Sequence, residues 1–165
     1  MKKNIWLAGV IFIIIITALF GCGKSKKSTI KLYFANTEKT ELKSEERAYD
    51  GNIGTDKKFL ESLINELLKG PADSPLVRVI PDGTKLLSVE TKDGICFVNF
   101  SQEFVSKHSG GSAGEYMTVY SIVNSLTELE HIQKVQFLVD GNKLEVFKHM
   151  VFNEPFERDA SIISK

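Results

Sequence analysis

One stretch constrains this chain more than any other. From Ile5 to Phe20 the sequence is apolar except at Gly9 and Thr17, it comes after a start carrying Lys2 and Lys3, and it ends at Gly21-Cys22-Gly23. As a helix the run would measure roughly 24 Å at about 1.5 Å per residue. That is short of the ~20 residues a transmembrane helix needs, and it matches the core of an export signal behind a positive start. The segment is therefore set apart from the folding unit, and the chain beyond Cys22 is expected outside the cytoplasmic membrane. About 140 residues remain, enough for one domain with its own core.

The junction "LFGC", Leu19 to Cys22, resembles the lipobox of bacterial lipoproteins: a branched apolar residue stands three before the cysteine and a small one directly before it. The resemblance implies cleavage between Gly21 and Cys22 and attachment of a diacylglyceryl group, with palmitate-type chains, to the Cys22 thiol. Phe20 departs from the pattern, where a small residue is usual. Two acyl chains hold a protein stably at about 0.8 kcal/mol per buried methylene. The division implied is signal peptide 1–21, lipidated tether 22–29, domain 30–158 and C-terminal tail 159–165. Lys24, Lys26 and Lys27 beside the lipid suit either anionic headgroups or a solvated tether.

Loss of Lys2 and Lys3 takes a chain of 21 basic and 21 acidic residues slightly to the acidic side of neutrality. Phosphate neutralisation, on which nucleic-acid binding runs, has no support in that balance. Cys96 is the second of only two cysteines, so a lipidated Cys22 leaves no intramolecular disulfide, and the core rests on packing. The one tryptophan, Trp6, lies in the signal.

Periodicity then gives the elements. Ile30, Leu32 and Phe34 alternate with polar partners as a strand, and a weaker strand comes next at about Leu42 to Tyr49. Phe59, Leu60, Leu63, Ile64, Leu67 and Leu68 form the apolar stripe of a helix capped by Thr55 and stopped by Gly70-Pro71. Pro81 and Gly83 set a turn before a hairpin, Lys85–Thr91 with Ile95–Phe100, closed by Asp93-Gly94. Apolar groups on both faces of the second strand predict cover on both sides. A capping box at Ser112 and Glu115 starts a helix running to about Leu129, with Tyr116, Val119, Tyr120, Val123, Leu126 and Thr127 inward. A last strand turns at Asp140-Gly141. The expected class is α+β: strand, helix, two strands, helix, strand, with a mixed or antiparallel sheet and both helices on one face.

Catalytic patterns are weak. Cys96 lies mid-strand, where a small buried residue belongs. Ser101, His108 and Glu103 or Glu115 can be written as a triad, without the glycine-flanked elbow. Glu103 and Glu115 could also be paired acids for glycoside cleavage, as could many pairs among 21 acidic residues. His108, His131 and His149 lack metal-ligand spacing. Gly110, Gly111 and Gly114 precede a helix in the manner of an anion site, but Glu115 in the first turn opposes an anion. No catalytic residue, metal or cofactor is expected.

Taken in order, Leu63, Leu67 and Gly70-Pro71, "IPDGTKL" (80–86), "VNFSQEF" (98–104), "IVNSLTEL" (122–129) and "VQFLVDG" (135–141) resemble the GerMN domain of sporulation and spore germination proteins, over residues 30–158. The resemblance implies an extracytoplasmic, often lipid-anchored, non-enzymatic domain in sporulation, germination or envelope assemblies. It implies docking to protein partners or self-association, as in small ring-building modules; this chain has one copy where the founding member has two. The alternatives are a lipoprotein that captures a peptide, wall fragment or small solute, and behind it a hydrolase of the wall.

Overall fold

The computed structural model describes residues 27–54, 56–72 and 75–164. Among them lie twelve short elements: β1 (Lys27–Ala35), β2 (Leu42–Asp50), α1 (Lys57–Lys69), β3 (Leu86–Lys92), β4 (Ile95–Phe100), α2 (Glu103–Ser106), α3 (Ser112–Leu126), β5 (Lys134–Val139), β6 (Asn142–Lys143), β7 (Val146–Phe147), β8 (Met150–Val151) and β9 (Phe156–Glu157). The class is α+β, as the patterning indicates. β1 and β2 form an antiparallel ribbon of their own, and the second strand is as long as the first. The main sheet runs β3-β4-β5-β6, with β9 also on β5. Its hairpin β3–β4 is antiparallel, whereas β4 and β5 are parallel and joined through α3.

Local chemistry explains most boundaries. The N-cap of α1 is Asp56, whose Oδ1 accepts the Phe59 N–H at 3.0 Å; this replaces the cap expected at Thr55, which lies outside the described residues. Gly70, at φ 85°, takes the left-handed turn that ends the helix. Asp93-Gly94 and Asp140-Gly141 each have positive φ at both positions, as tight hairpin turns require.

One cluster joins Ile30, Leu32 and Phe34 of β1 to the stripe of α1, to Val119, Ile122, Val123 and Leu126 of α3, and to Cys96, Val98, Phe100, Val135 and Phe137 of the sheet. Phe104 of α2 anchors its far end, stacked 4.8 Å from Phe100 and 5.1 Å from Phe147. A second cluster packs Tyr33, Ala35 and Leu42 against Met117, with Ile162 and Ile163 from the C-terminal residues. β1 is thus covered on both faces.

Three expectations are corrected. β4 is covered on one face only: Cys96, Val98 and Phe100 are buried, while Ile95 and Phe97 are half-buried and join neither cluster. Helix α3 has no capping box, since Gly111 is its N-cap without a side-chain bond and Glu115 is fully buried. Nor does α3 have one inward stripe. Tyr116 and Tyr120 are only half-buried, whereas Thr118, Ser121, Asn124 and Ser125 are fully buried.

Those buried polar groups complete β1. Tyr33 N–H donates to Ser125 Oγ at 2.9 Å, and Ser121 Oγ donates to the Tyr33 carbonyl at 2.5 Å. Two helical hydroxyls thus supply what a neighbouring strand would otherwise give, and the buried backbone is satisfied. Residues 159–164, set apart by sequence as a tail, are built into the same fold. Leu42 N–H donates to the Ile162 carbonyl and Ser164 N–H to the Leu42 carbonyl, each at 2.8 Å.

Candidate functional site

The groups that could do covalent chemistry are occupied or buried. Cys96 is fully buried, and that burial pushes its thiol up to about 12, against a smaller downward pull from Thr91. A thiol held so high supplies almost no thiolate at neutral pH. Ser101 Oγ accepts the Lys85 N–H at 3.1 Å, and the serine hydroxyl helps hold the Glu103 carboxylate below its usual range. His108 bonds elsewhere: Nε2 meets Thr118 Oγ1 at 2.9 Å, and Nδ1 accepts the Gly110 N–H at 3.3 Å. Because the Thr118 hydroxyl donates to the Val79 and Gly114 carbonyls, it accepts from His108, which fixes the Nε2–H tautomer. Burial and the Lys148 charge hold this imidazole below its usual pKa, so both ring nitrogens are committed in the neutral form. The structure thus does not bring Ser101 and His108 into a hydrogen bond.

Glu115 points away from both. Its carboxylate accepts the His149 N–H at 3.1 Å and meets His149 Nδ1 at 2.8 Å. Burial would raise its pKa, but these bonds and the neighbouring histidines outweigh it and set Glu115 below the ordinary carboxylate value. His131 has no part in this arrangement, and among the described residues no group of three or more His, Cys, Asp or Glu side chains could hold a metal ion.

Two polar pins fix the periphery. Arg47 of β2 reaches Glu45, the Glu66 carboxylate and the Gly70 carbonyl, so it closes the C-terminal end of α1. Arg158 lies over the Tyr33 ring at 5.2 Å and donates to Tyr33 Oη, Glu128 and the Asn124 carbonyl. Burial tends to raise Glu128, yet the Tyr33 hydroxyl and the Arg158 and Lys31 charges hold it below its usual range. Asn124 takes both backbone groups of Asp159, at 3.0 and 2.8 Å. Little of this was visible in sequence, because apart from Glu45 the partners lie 19 to 125 residues apart.

What these pins support is a sheet with one part-exposed face, where Gln136 is buried and its apolar neighbours are half-buried. On the side of β3–β4–β5 turned away from the helices, the registers align Lys92, Ile95 and Lys134, then Glu90, Phe97 and Gln136, then Ser88, Asn99 and Leu138. Ile95, Phe97 and Leu138 are half-buried there and belong to neither cluster; Leu87, at the β3 irregularity, is 50% exposed. Charged Lys92, Glu90 and Lys134 surround the apolar groups, the layout of a surface with an apolar centre and polar rim. Gly21 and Cys22 lie outside the described residues, and among the described residues no helix is long and apolar enough to cross a membrane.

Comparison with known proteins agrees with this fold. No curated protein matches. Among solved structures, a Clostridium perfringens protein classed provisionally as a lipoprotein is 27% identical with a TM-score of 0.57, over 79% of this chain and 87% of that one. The first GerMN domain of the sporulation protein GerM from Bacillus subtilis is 20% identical with a TM-score of 0.59, over 81% of this chain and 98% of that one. The tandem GerMN domains of the same protein are 21% identical with a TM-score of 0.58, and the match covers 81% of this chain but 46% of theirs. The family model for Germane, described as sporulation and spore germination, matches residues 31–145. That match takes in most of the ribbon, α1, β3 to β6 and α3, and with it the chain belongs to the Germane family of sporulation and spore germination domains.

Proposed function

We propose that this protein is a lipid-anchored, extracytoplasmic docking domain without catalytic activity, which helps hold together a protein complex of the envelope during sporulation or germination. Residues 1–21 are removed between Gly21 and Cys22, Cys22 carries the acyl chains, and the link to the domain is shorter than the sequence division gives, because β1 begins at Lys27 rather than at residue 30. The lipobox resemblance supports the anchor, as does the likeness to a Clostridium perfringens chain classed provisionally as a lipoprotein. The reading of function is carried by one observation: the part-exposed apolar sheet face around Phe97, rimmed by Lys92, Glu90 and Lys134 and joining neither core cluster.

The occupant is a protein partner of the same complex. Phe97→Glu places a charge at the centre of that face while leaving the buried side of β4 intact. In the native host this variant should keep its melting temperature within a few degrees and still take up lipid label, yet reproduce the sporulation or germination defect of a deletion. A crosslinker at position 97 should meanwhile capture one defined partner, lost in Phe97→Glu. Normal spore yield and germination with Phe97→Glu, or a captured species that is only a second copy of this chain, would refute docking to another protein. Cys22→Ala, if it still incorporated lipid label, would refute the anchor.

A further inference from the structure

A cleft of about 590 Å³ opens where three separate segments meet: the β1–β2 turn with Lys39, the strand-like stretch with Arg78 that runs into the Pro81-Asp82 turn, and the loop Lys107–Gly110 ahead of α3. Its charged side chains are Lys39, Arg78, Lys107 and Asp82. Asp82 is already paired with Arg78, whose other Nη donates to the Lys69 carbonyl. Lys39 and Lys107 are exposed and form no ion pair among the described residues. Lys148 adds a fourth cation just behind the wall, donating to the His108 carbonyl. The other nearby acids do not line the cleft: Glu115 is fully buried and held by His149, and Glu103, which accepts from Ser101, lies beside Lys107 outside it. The objection raised by Glu115 in the sequence therefore loses most of its force, because its carboxylate does not face the cleft as a free charge.

The cleft's floor is shaped for close approach. A Cβ at Gly110 would stand 3.0 Å from the His108 ring and 3.1 Å from Gly114 Cα, so a side chain there would push these neighbours aside. Lys39 sits in the left-handed region at φ 54°, a conformation that costs a residue with a side chain but holds the ammonium at the tip of the turn. Two lysines that line the cleft from different segments, neither in an ion pair within 4 Å, suit a tetrahedral oxyanion, which point charges can meet from several directions. A planar carboxylate is better met by a guanidinium fork, and the fork of Arg78 is taken.

We propose that this cleft binds a phosphate-bearing anion. Its place in the fold narrows the source. Lys39 lies at the turn end of β1, and Lys27 at the opposite end, about 30 Å away at roughly 3.3 Å per residue. If the anchor at Cys22 is as proposed above, the cleft faces away from the bilayer that holds it, toward a soluble phosphate ester or a phosphate-containing chain of the wall rather than a headgroup of its own membrane. Only this orientation rests on the lipid anchor. The binding chemistry does not depend on the docking face, so a failure here and a failure of Phe97→Glu are separate results.

The test uses the full chain in neutral detergent micelles at constant ionic strength, with backbone amide shifts of Gly110 and Gly114 as readout. Inorganic phosphate and glycerol phosphate should each shift these amides saturably, and acetate should act at least several-fold more weakly. Lys39→Ala with Lys107→Ala should weaken phosphate binding about tenfold, the loss of two screened charge contacts, while Lys57→Ala on α1 should leave it unchanged. Equal binding by the double variant, acetate as effective as phosphate, or response to phosphatidylglycerol vesicles alone would each overturn the proposal.

Discussion

Replacing Arg47 with alanine should be among the most damaging single changes outside the apolar core. The guanidinium donates to Glu45 Oε1 at 2.7 Å, to the Glu66 carboxylate at 2.8 Å and its carbonyl at 3.0 Å, and to the Gly70 carbonyl at 2.6 Å. It also lies over the Phe34 ring at 5.4 Å. Glu45 is only 4% exposed, and its second oxygen accepts the Ala72 N–H at 2.9 Å. The substitution therefore takes the guanidinium from a buried carboxylate that keeps its Ala72 bond, and frees carbonyls at the end of α1. Removing one partner of a buried pair costs about 3–5 kcal/mol, mostly for the charge left behind. For a domain of this size that corresponds to a melting-point drop on the order of 10 °C. Urea unfolding followed by far-UV circular dichroism should show a lower midpoint at unchanged slope. The double variant Glu45→Ala, Arg47→Ala also removes the buried carboxylate that Arg47 balances, so it should recover at least about 1 kcal/mol relative to Arg47→Ala alone. An Arg47→Ala protein within about 1 kcal/mol of the parent, or a double variant no more stable than the single, would refute the argument from buried charge.

Glu115 gives a pH dependence with a definite sign. Its folded pKa lies below the ordinary 4.5, so its contribution to stability is present above that value and is lost as pH falls through the lower folded value. Glu115→Gln should flatten the acid side of the stability profile below about pH 4.5, measured as urea midpoint against pH, and an unchanged slope would show that the His149 contact carries no such linkage. Ending the chain after Arg158 removes the Asp159 bonds to Asn124 and the two Leu42 backbone bonds, and it uncovers the second cluster. At about 1 kcal/mol net for each bond, with Asn124 left buried and unpaired, the loss should be about 3 kcal/mol or more by urea titration. A truncated chain as stable as the parent would place residues 159–164 outside the cooperative fold.

Sequence reached the parts of this protein whose causes are local. The α1 stripe, its Gly70-Pro71 stop and the Asp-Gly turns each depend on a few neighbouring residues, and each lies where the pattern placed it. It failed where a residue's role is set by something far along the chain. Ser112 and Glu115 fit the spacing of a capping box, but Glu115 has a stronger partner in His149, and that pairing leaves no local trace. The serines of "SIVNS" read as the outside of a helix because hydroxyls usually are. Here Ser121 and Ser125 face the backbone of Tyr33, some 90 residues earlier, and their burial comes from the unpaired edge of β1. The same physics accounts for the misread strand β4. Ile95 and Phe97 look like core residues by composition, and a monomer in isolation has no use for them at half-exposed positions. A second apolar face that the described residues leave partly open is a cost to solubility, and it is offset when another surface does the covering. The hydrophobic pattern of β4 thus counts a second layer that the described residues supply only in part, and the docking proposal starts from that same pattern.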